Sequence, residues 1–279
     1  MHSWLAYFPL LLCFPFLTVT GSAAARAIFP LTGLTRGRDI SINRNAAARL
    51  VNVKPAPGPD GLPLGSFHLQ GIANSYIYFP NTGCLDTKNS LTIVLWVYPE
   101  GRGPIFHYFP KGWGVHLWLK NTRTLLVKFV PRSLQTISVV TSRKIRPRAW
   151  NYIAATYDHV TGLATLWNDA IPISQRNIGK IQLATNYPAI SGKKLRDRRI
   201  FRGRIACLQI YDRALNGRQL RSIKKKCFRG LWRLLQLFVT VIKIILSLTI
   251  CQHQGNHENI ALNNLYRWKE LQMYETLLV

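Results

Sequence analysis

Negative charge is what this chain has least of. Eleven Asp and Glu stand against 37 Lys and Arg, a formal net charge of +26 over 279 residues. Between Ile28 and Phe228 the only glutamate is Glu100, in a turn after Pro99. The aspartates Asp39, Asp60, Asp86, Asp158, Asp169, Asp197 and Asp212 are scattered, and none lies two positions from another acid. Side chains on a strand alternate between faces, so an acid-x-acid run is what would pair two carboxylates for retaining glycoside hydrolysis, about 5 Å apart. Its absence argues against that chemistry. No G-x-S-x-G elbow and no H-E-x-x-H motif occurs either, which removes the usual serine-hydrolase and zinc-protease readings. His253 and His257, with Cys251 nearby, have loosely metal-like spacing but read as polar residues of a tail. There is no Asn-x-Ser/Thr acceptor, so N-glycosylation is not expected.

The N-terminus supplies what the charge leaves open. Leu5–Thr18 is an apolar run followed by the small residues Gly21-Ser22-Ala23-Ala24-Ala25. That pattern predicts a secretory signal peptide over residues 1–25, cut after Ala23 or Ala25, although no Lys or Arg precedes the run. Secretion permits disulfides and argues against nucleic acid as a partner. Without Cys13, the cysteines are Cys84, Cys207, Cys227 and Cys251, which allow three complete pairings.

Trp150–Trp167 has the clearest pattern in the chain. Trp150, Tyr152, Ala154 and Thr156 share one face of a first strand, and Ile153, Ala155 and Tyr157 share the other. The turn Asp158–Gly162 ends in a glycine, and Leu163–Trp167 returns. Further strands are predicted at Phe67–Leu69, Tyr76–Phe79, Leu91–Tyr98, Gly114–Leu119, Thr124–Phe129, Thr136–Val140 and Arg204–Tyr211, separated by Gly, Pro and Asn. Many short strands at this spacing predict an all-β antiparallel sandwich or jelly roll, with no convincing helix before residue 213.

Four blocks in order carry a resemblance: Asn74–Asn81, Ser90–Gly101, Trp150–Trp167 and Phe201–Asn216. Together they resemble a laminin-G-like domain of the concanavalin A-like jelly-roll class over about residues 28–228. The resemblance implies two antiparallel sheets of about six strands each, with the segment beginning at Phe29 paired to the closing strand. It also implies a non-catalytic module that binds carbohydrate or matrix components. The alternatives are an adhesion module with a matrix or cell-surface protein partner, tethered by its C-terminal helix, and a degenerate glucanase.

Relatives of this kind often hold calcium through Asp, Asn and backbone carbonyls, which suit a hard cation. Asp39, Asn43 and Asn45 are the candidate ligands here, with an Asx-turn as the simpler use of Asp39. Where many relatives have two acids before the final strand's aliphatics, this chain has Ala206-Cys207, which removes ligands. No other cofactor is expected.

The positive charge is concentrated. Lys193–Arg233 holds fifteen Lys or Arg and two acids, and Arg143, Lys144, Arg146 and Arg148 precede the hairpin. The candidate polyanion-binding residues are those four with Lys193, Lys194, Arg196, Arg198, Arg199, Arg202 and Arg204. Their expected ligand is a glycosaminoglycan or other acidic extracellular polymer, because the guanidinium fork matches sulfate and the field concentrates polyanions. The bland reading is that these charges only keep the protein soluble. Trp113 and Trp118 are weaker candidates for sugar stacking, and their odd spacing sends them to opposite faces of a continuous strand.

A short basic helix is predicted at Gly217–Lys226, flanked by Cys207 and Cys227. A bridge between them would pin the helix to the last strand, leaving Cys84 and Cys251 over. Residues 229–279 then form an extension with an apolar stretch at 231–250, about one membrane span long. Arg233, Gln236, Thr240, Lys243 and Ser247 form a polar stripe along it. A membrane anchor, an interfacial amphipathic helix and a segment foreign to the domain all remain open.

Overall fold

The computed structural model describes residues 24–109, 114–133, 138–193 and 199–228, with residues 240, 241, 243 and 244. In chain order the strands are β1 (Ala27–Phe29), β2 (Arg49–Val51), β3 (Lys54–Ala56), β4 (Ser66–Gln70), β5 (Tyr76–Phe79), β6 (Leu91–Pro99), β7 (Gly103–Tyr108) and β8 (His116–Asn121). They continue as β9 (Thr124–Phe129), β10 (Ser138–Ser142), β11 (Asn151–Tyr157), β12 (Leu163–Asn168), β13 (Ile171–Asn177), β14 (Ala189–Ser191) and β15 (Arg202–Tyr211). The helix α1 (Gly217–Ile223) follows.

The strands form two antiparallel sheets, as the alternation predicts. One has eight strands in the order β13-β12-β11-β6-β15-β4-β3, with β1 also paired to β15. The other has seven, in the order β10-β9-β8-β7-β14-β5-β2. The expectation of about six strands a sheet is therefore low. It misses β7, whose opening Gly103-Pro104 reads as a turn, and the short strands β1, β2, β3 and β14. It also misses β13, an edge strand too exposed to alternate. The expected pairing of the opening segment with the closing strand is present, with Ala27–Phe29 opposite Ile210–Leu208.

The core fills the space between the sheets. Leu91, Ile93, Leu95, Val97, Ile153, Ala155 and Tyr157 point inward from the eight-stranded sheet, and Ile77, Phe79, Leu117, Leu125, Val127 and Phe129 from the seven-stranded one. Rings lock the layers together: Phe29 on Phe79 at 5.1 Å and Phe129 on Tyr157 at 5.6 Å between centroids. Each such ring, fully buried, contributes roughly 1.5–3 kcal/mol.

The eight-stranded sheet has a second apolar patch on its outer face, covered by α1. Leu220, Ile223 and Phe228 pack on Val94, Tyr152, Ala154 and Tyr211, with Trp96 and Trp167 at the margin. The helix starts with a capping box: the Asn216 side chain accepts from the Gln219 N–H, and the Gln219 side chain accepts from the Asn216 N–H. At its far end Tyr152 OH donates to Leu220 O at 2.9 Å and Trp96 Nε1 donates to Lys224 O at 3.3 Å. The Cys207–Cys227 disulfide completes the clamp, as the flanking positions suggest. A register shift between Ala206 and Gln209 makes this possible, because the bulge turns Cys207 (φ +52°) toward the helix. Cys84 is unpaired and half-buried. Cys251 lies outside the described residues, as do most of the 231–250 stretch and residues 1–23. Among the described residues no helix is long and apolar enough to cross a membrane.

Candidate functional site

The outer face of the eight-stranded sheet carries a charged and aromatic row at the end away from α1. Arg204 on β15 pairs with Tyr98 on one side and His68 on the other, and His68 pairs with Lys54. Beyond Tyr98 stands Trp150, with ring centroids 5.7 Å apart. The row Trp150, Tyr98, Arg204, His68, Lys54 therefore crosses four strands, with Trp150 immediately before β11. These side chains share a face because the period-two phase of each strand buries its alternate residues, Val97, Phe67 and Ile205, in the core.

Local chemistry fixes the row. The Arg204 guanidinium carbon lies 4.6 Å from the Tyr98 ring centroid, a cation–π contact. Glu100 gathers three side chains around one carboxylate: His68 Nε2 at 3.0 Å, Arg202 Nε at 3.4 Å and Arg204 Nε at 3.8 Å. Gly203 allows this close approach. Its φ is +145° and an added Cβ would sit 2.3 Å from Tyr98 O, so only glycine fits. The Arg202 side chain stays 62% exposed.

The Arg143–Arg148 segment joins the same region. Ile145 is buried as its anchor, while Arg143, Lys144, Arg146 and Arg148 are exposed. Arg148 N donates to Pro99 O at 2.9 Å, and Pro99 is the strand partner of Gly203. Arg146 Nη2 donates to Trp150 O at 3.2 Å. Two clusters more than fifty residues apart in sequence thus flank Pro99.

The third group of cations goes elsewhere. Gly192 N donates to Pro104 O, and Phe201 N donates to Gly192 O at 2.8 Å, which brings residues 192 and 201 together beside β7. Lys193 Nζ stands 3.6 Å above the Tyr76 ring, and the Arg199 guanidinium 4.5 Å above Trp118. Lys193 and Arg199 therefore belong to the opposite outer face from Arg202 and Arg204. Lys194, Arg196, Arg198 and Trp113 lie outside the described residues. Trp118 is 5% exposed beneath a guanidinium, so its ring offers no open stacking surface.

Asp39, Asn43 and Asn45 come together, but as a turn lock. The Asp39 carboxylate accepts from the N–H groups of Ile28 (2.8 Å), Ser41 (2.9 Å) and Asn45 (2.8 Å), from Ser41 Oγ (2.7 Å) and from Asn45 Nδ2 (2.7 Å). The Asn43 and Asn45 amides donate to Arg26 O at 2.9 and 2.8 Å. Calcium needs oxygen lone pairs turned inward, and these are already filled by N–H and O–H donors. The donor set does not fit the cation.

Several other carboxylates among the described residues are likewise committed. Asp86 takes Arg132 and Thr185, Asp169 takes Lys224, and Asp212 takes Arg26 and Arg213. Asp158 accepts from Val160 N and Thr161 Oγ1, while His159 Nδ1 bonds Ile181 O, so both serve the hairpin turn. An open groove of about 410 Å³ lies elsewhere, lined by Pro131, Arg132, Ser138, Ile178, Lys180 and Gln182.

Sequence reasoning identified the arginines of the row but not Tyr98, Trp150, His68, Glu100 and Lys54 as their setting. The alternation that puts Trp150 on one face of its strand was visible. The neighbour order β11-β6-β15-β4-β3, which lines up the five residues, was not.

A family model described as the concanavalin A-like lectin/glucanases superfamily, of the laminin-G type, matches residues 70–221. No curated protein sequence matches the chain. Among solved structures, the binding domain of a paraclostridial mosquitocidal protein is similar at 18% identity and a TM-score of 0.57, covering 71% of this chain and 51% of that one. The botulinum neurotoxin serotype G binding domain aligns at 15% identity and 0.56, over 71% and 50%. The serotype D/C binding domain aligns at 11% and 0.58, over 73% and 52%. This chain thus spans about half the length of each, and at these identities the likeness is one of fold.

Proposed function

The chain belongs to the concanavalin A-like lectin/glucanases superfamily, and from that premise we propose that it is a secreted, non-catalytic module binding sulfated or otherwise acidic extracellular polymers, glycosaminoglycans among them. The observation that carries the reading is the row Trp150, Tyr98, Arg204, His68, Lys54 with the exposed Arg143–Arg148 segment beside it. Arg202 and Arg204 offer guanidinium groups to sulfate oxygens, and the half-buried Trp150 ring offers an aromatic surface to the sugar backbone. Asp86, Asp169 and Asp212 are each ion-paired to lysine or arginine, which supports the non-enzymatic side of the reading.

Elution from immobilised heparin tests it. The intact chain is expected to elute well above physiological ionic strength. Arg202→Ala/Arg204→Ala is expected to elute at lower salt and to lose roughly one to two units of the slope of log K against log salt, through lost counterion release. Release of the intact chain at about physiological salt, or an unchanged double variant, refutes the assignment.

A further inference from the structure

The loop between β1 and β2 presents an unusual surface. Leu34, Ile40 and Ile42 are 65%, 50% and 86% exposed, and Arg36, Arg38 and Arg44 are exposed between and beside them. An aliphatic side chain held so far out in water has a cost, and a loose loop would fold it back. This loop cannot. The five donors on Asp39 and the two Asn amides on Arg26 O fix it from inside, Ile40 N donates to Ile28 O at 2.9 Å, and Ala48 N donates to Gly37 O at 2.8 Å. Arg36 and Arg44 adopt φ of +52° and +45°, which turns the chain sharply on either side of the isoleucines.

We propose that this loop docks the protein on membranes carrying anionic lipid headgroups. Ile40 and Ile42 would enter the headgroup boundary while Arg38 and Arg44, two residues away on either side, reach the phosphates above them. The charge favours this occupant. Asp39 is the loop's only acid and its oxygens are spent internally, so the exposed part is wholly cationic. Exposed aliphatic side chains flanked on both sides by exposed arginines suit the boundary of an anionic lipid surface. A sulfated polymer has no use for them. The site also lies apart from the row: Arg26 N bonds Ile210 O, six positions along β15 from Arg204, roughly 20 Å on an extended strand.

The test is co-sedimentation of the full chain with phosphatidylcholine vesicles, with and without added phosphatidylserine. Binding is expected with phosphatidylserine. Ile40→Ser/Ile42→Ser, at unchanged charge, is expected to lower the partition coefficient by about tenfold or more. Arg38→Gln/Arg44→Gln is expected to remove the preference for phosphatidylserine. All comparisons use the full chain, so the 231–250 stretch contributes equally throughout. The isoleucine variant should keep the intact chain's melting temperature and its heparin elution. Vesicle binding that is absent in the intact chain, or undiminished in the isoleucine variant, overturns the proposal. So does a heparin elution that falls with that variant, which would make the loop part of the polyanion face.

Discussion

Asp60 lies in the turn between β3 and β4, where its Oδ1 accepts from Leu62 N at 3.3 Å and its Oδ2 is buried with no hydrogen-bond partner among the described residues. Burial pushes its pKa above the ordinary 3.8, because desolvation penalises the charged form more than the Leu62 bond rewards it. The fold therefore prefers the protonated acid. Its stabilising contribution is complete below the unfolded value and is lost as pH rises through the raised folded value. At neutral pH the carboxylate works against folding. Asp60→Asn keeps the acceptor and removes the charge, so thermal melts at pH 7 should show a higher midpoint than the intact chain. Repeated below about pH 4, where both carry a neutral side chain, the two midpoints should converge. An equal gain at both pH values would point to a cause other than ionisation.

At the scale of elements, α1 and its disulfide depend on the bulge in β15. Removing the bridge with Cys207→Ser/Cys227→Ser opens a loop of 20 residues and should cost about 3 kcal/mol, read as a lower denaturation midpoint. Trp96 and Tyr152 sit under the helix, so tryptophan emission should shift to the red before the main transition. Heparin elution of the folded variant should not change, since the row lies beyond the helix. Legibility also differs between elements. The β11–β12 hairpin was readable from its run of apolar and aromatic residues and a turn ending in Gly162, with φ of +72°, although β11 is buried on both faces. β7, equally buried, opens on the turn-like Gly103-Pro104, and β13 is exposed along most of its length. The Cys207–Cys227 bridge followed from two cysteines flanking one helix. The placing of Arg148 against Pro99, the strand partner of Gly203, did not, because it needs β6 to run between β11 and β15, and strand order is a property of the whole sheet.

At the scale of the molecule, the cations expected to form one surface are divided between two outer faces separated by the sandwich. Sheets packed about 10 Å apart, each with side chains outside, place the faces well beyond the roughly 8 Å screening length at physiological salt. A polymer lying flat on one face gains little from charges on the other. Lys193 is already stacked on Tyr76 and Arg199 on Trp118, so a sulfate would compete there with ring faces. On the other face Arg202 is largely exposed, and the single carboxylate of Glu100 is shared between Arg202 and Arg204. Lys193→Ala/Arg199→Ala should therefore leave the salt slope of heparin binding nearly intact, while Arg202→Ala/Arg204→Ala lowers it. The combined variant should show the sum of the two effects, as distant independent sites do. A strong excess over that sum would mean that one polymer chain wraps the edge of the sandwich and engages both faces together. The face carrying Lys193 and Arg199 would then be a second half of the site rather than a bystander.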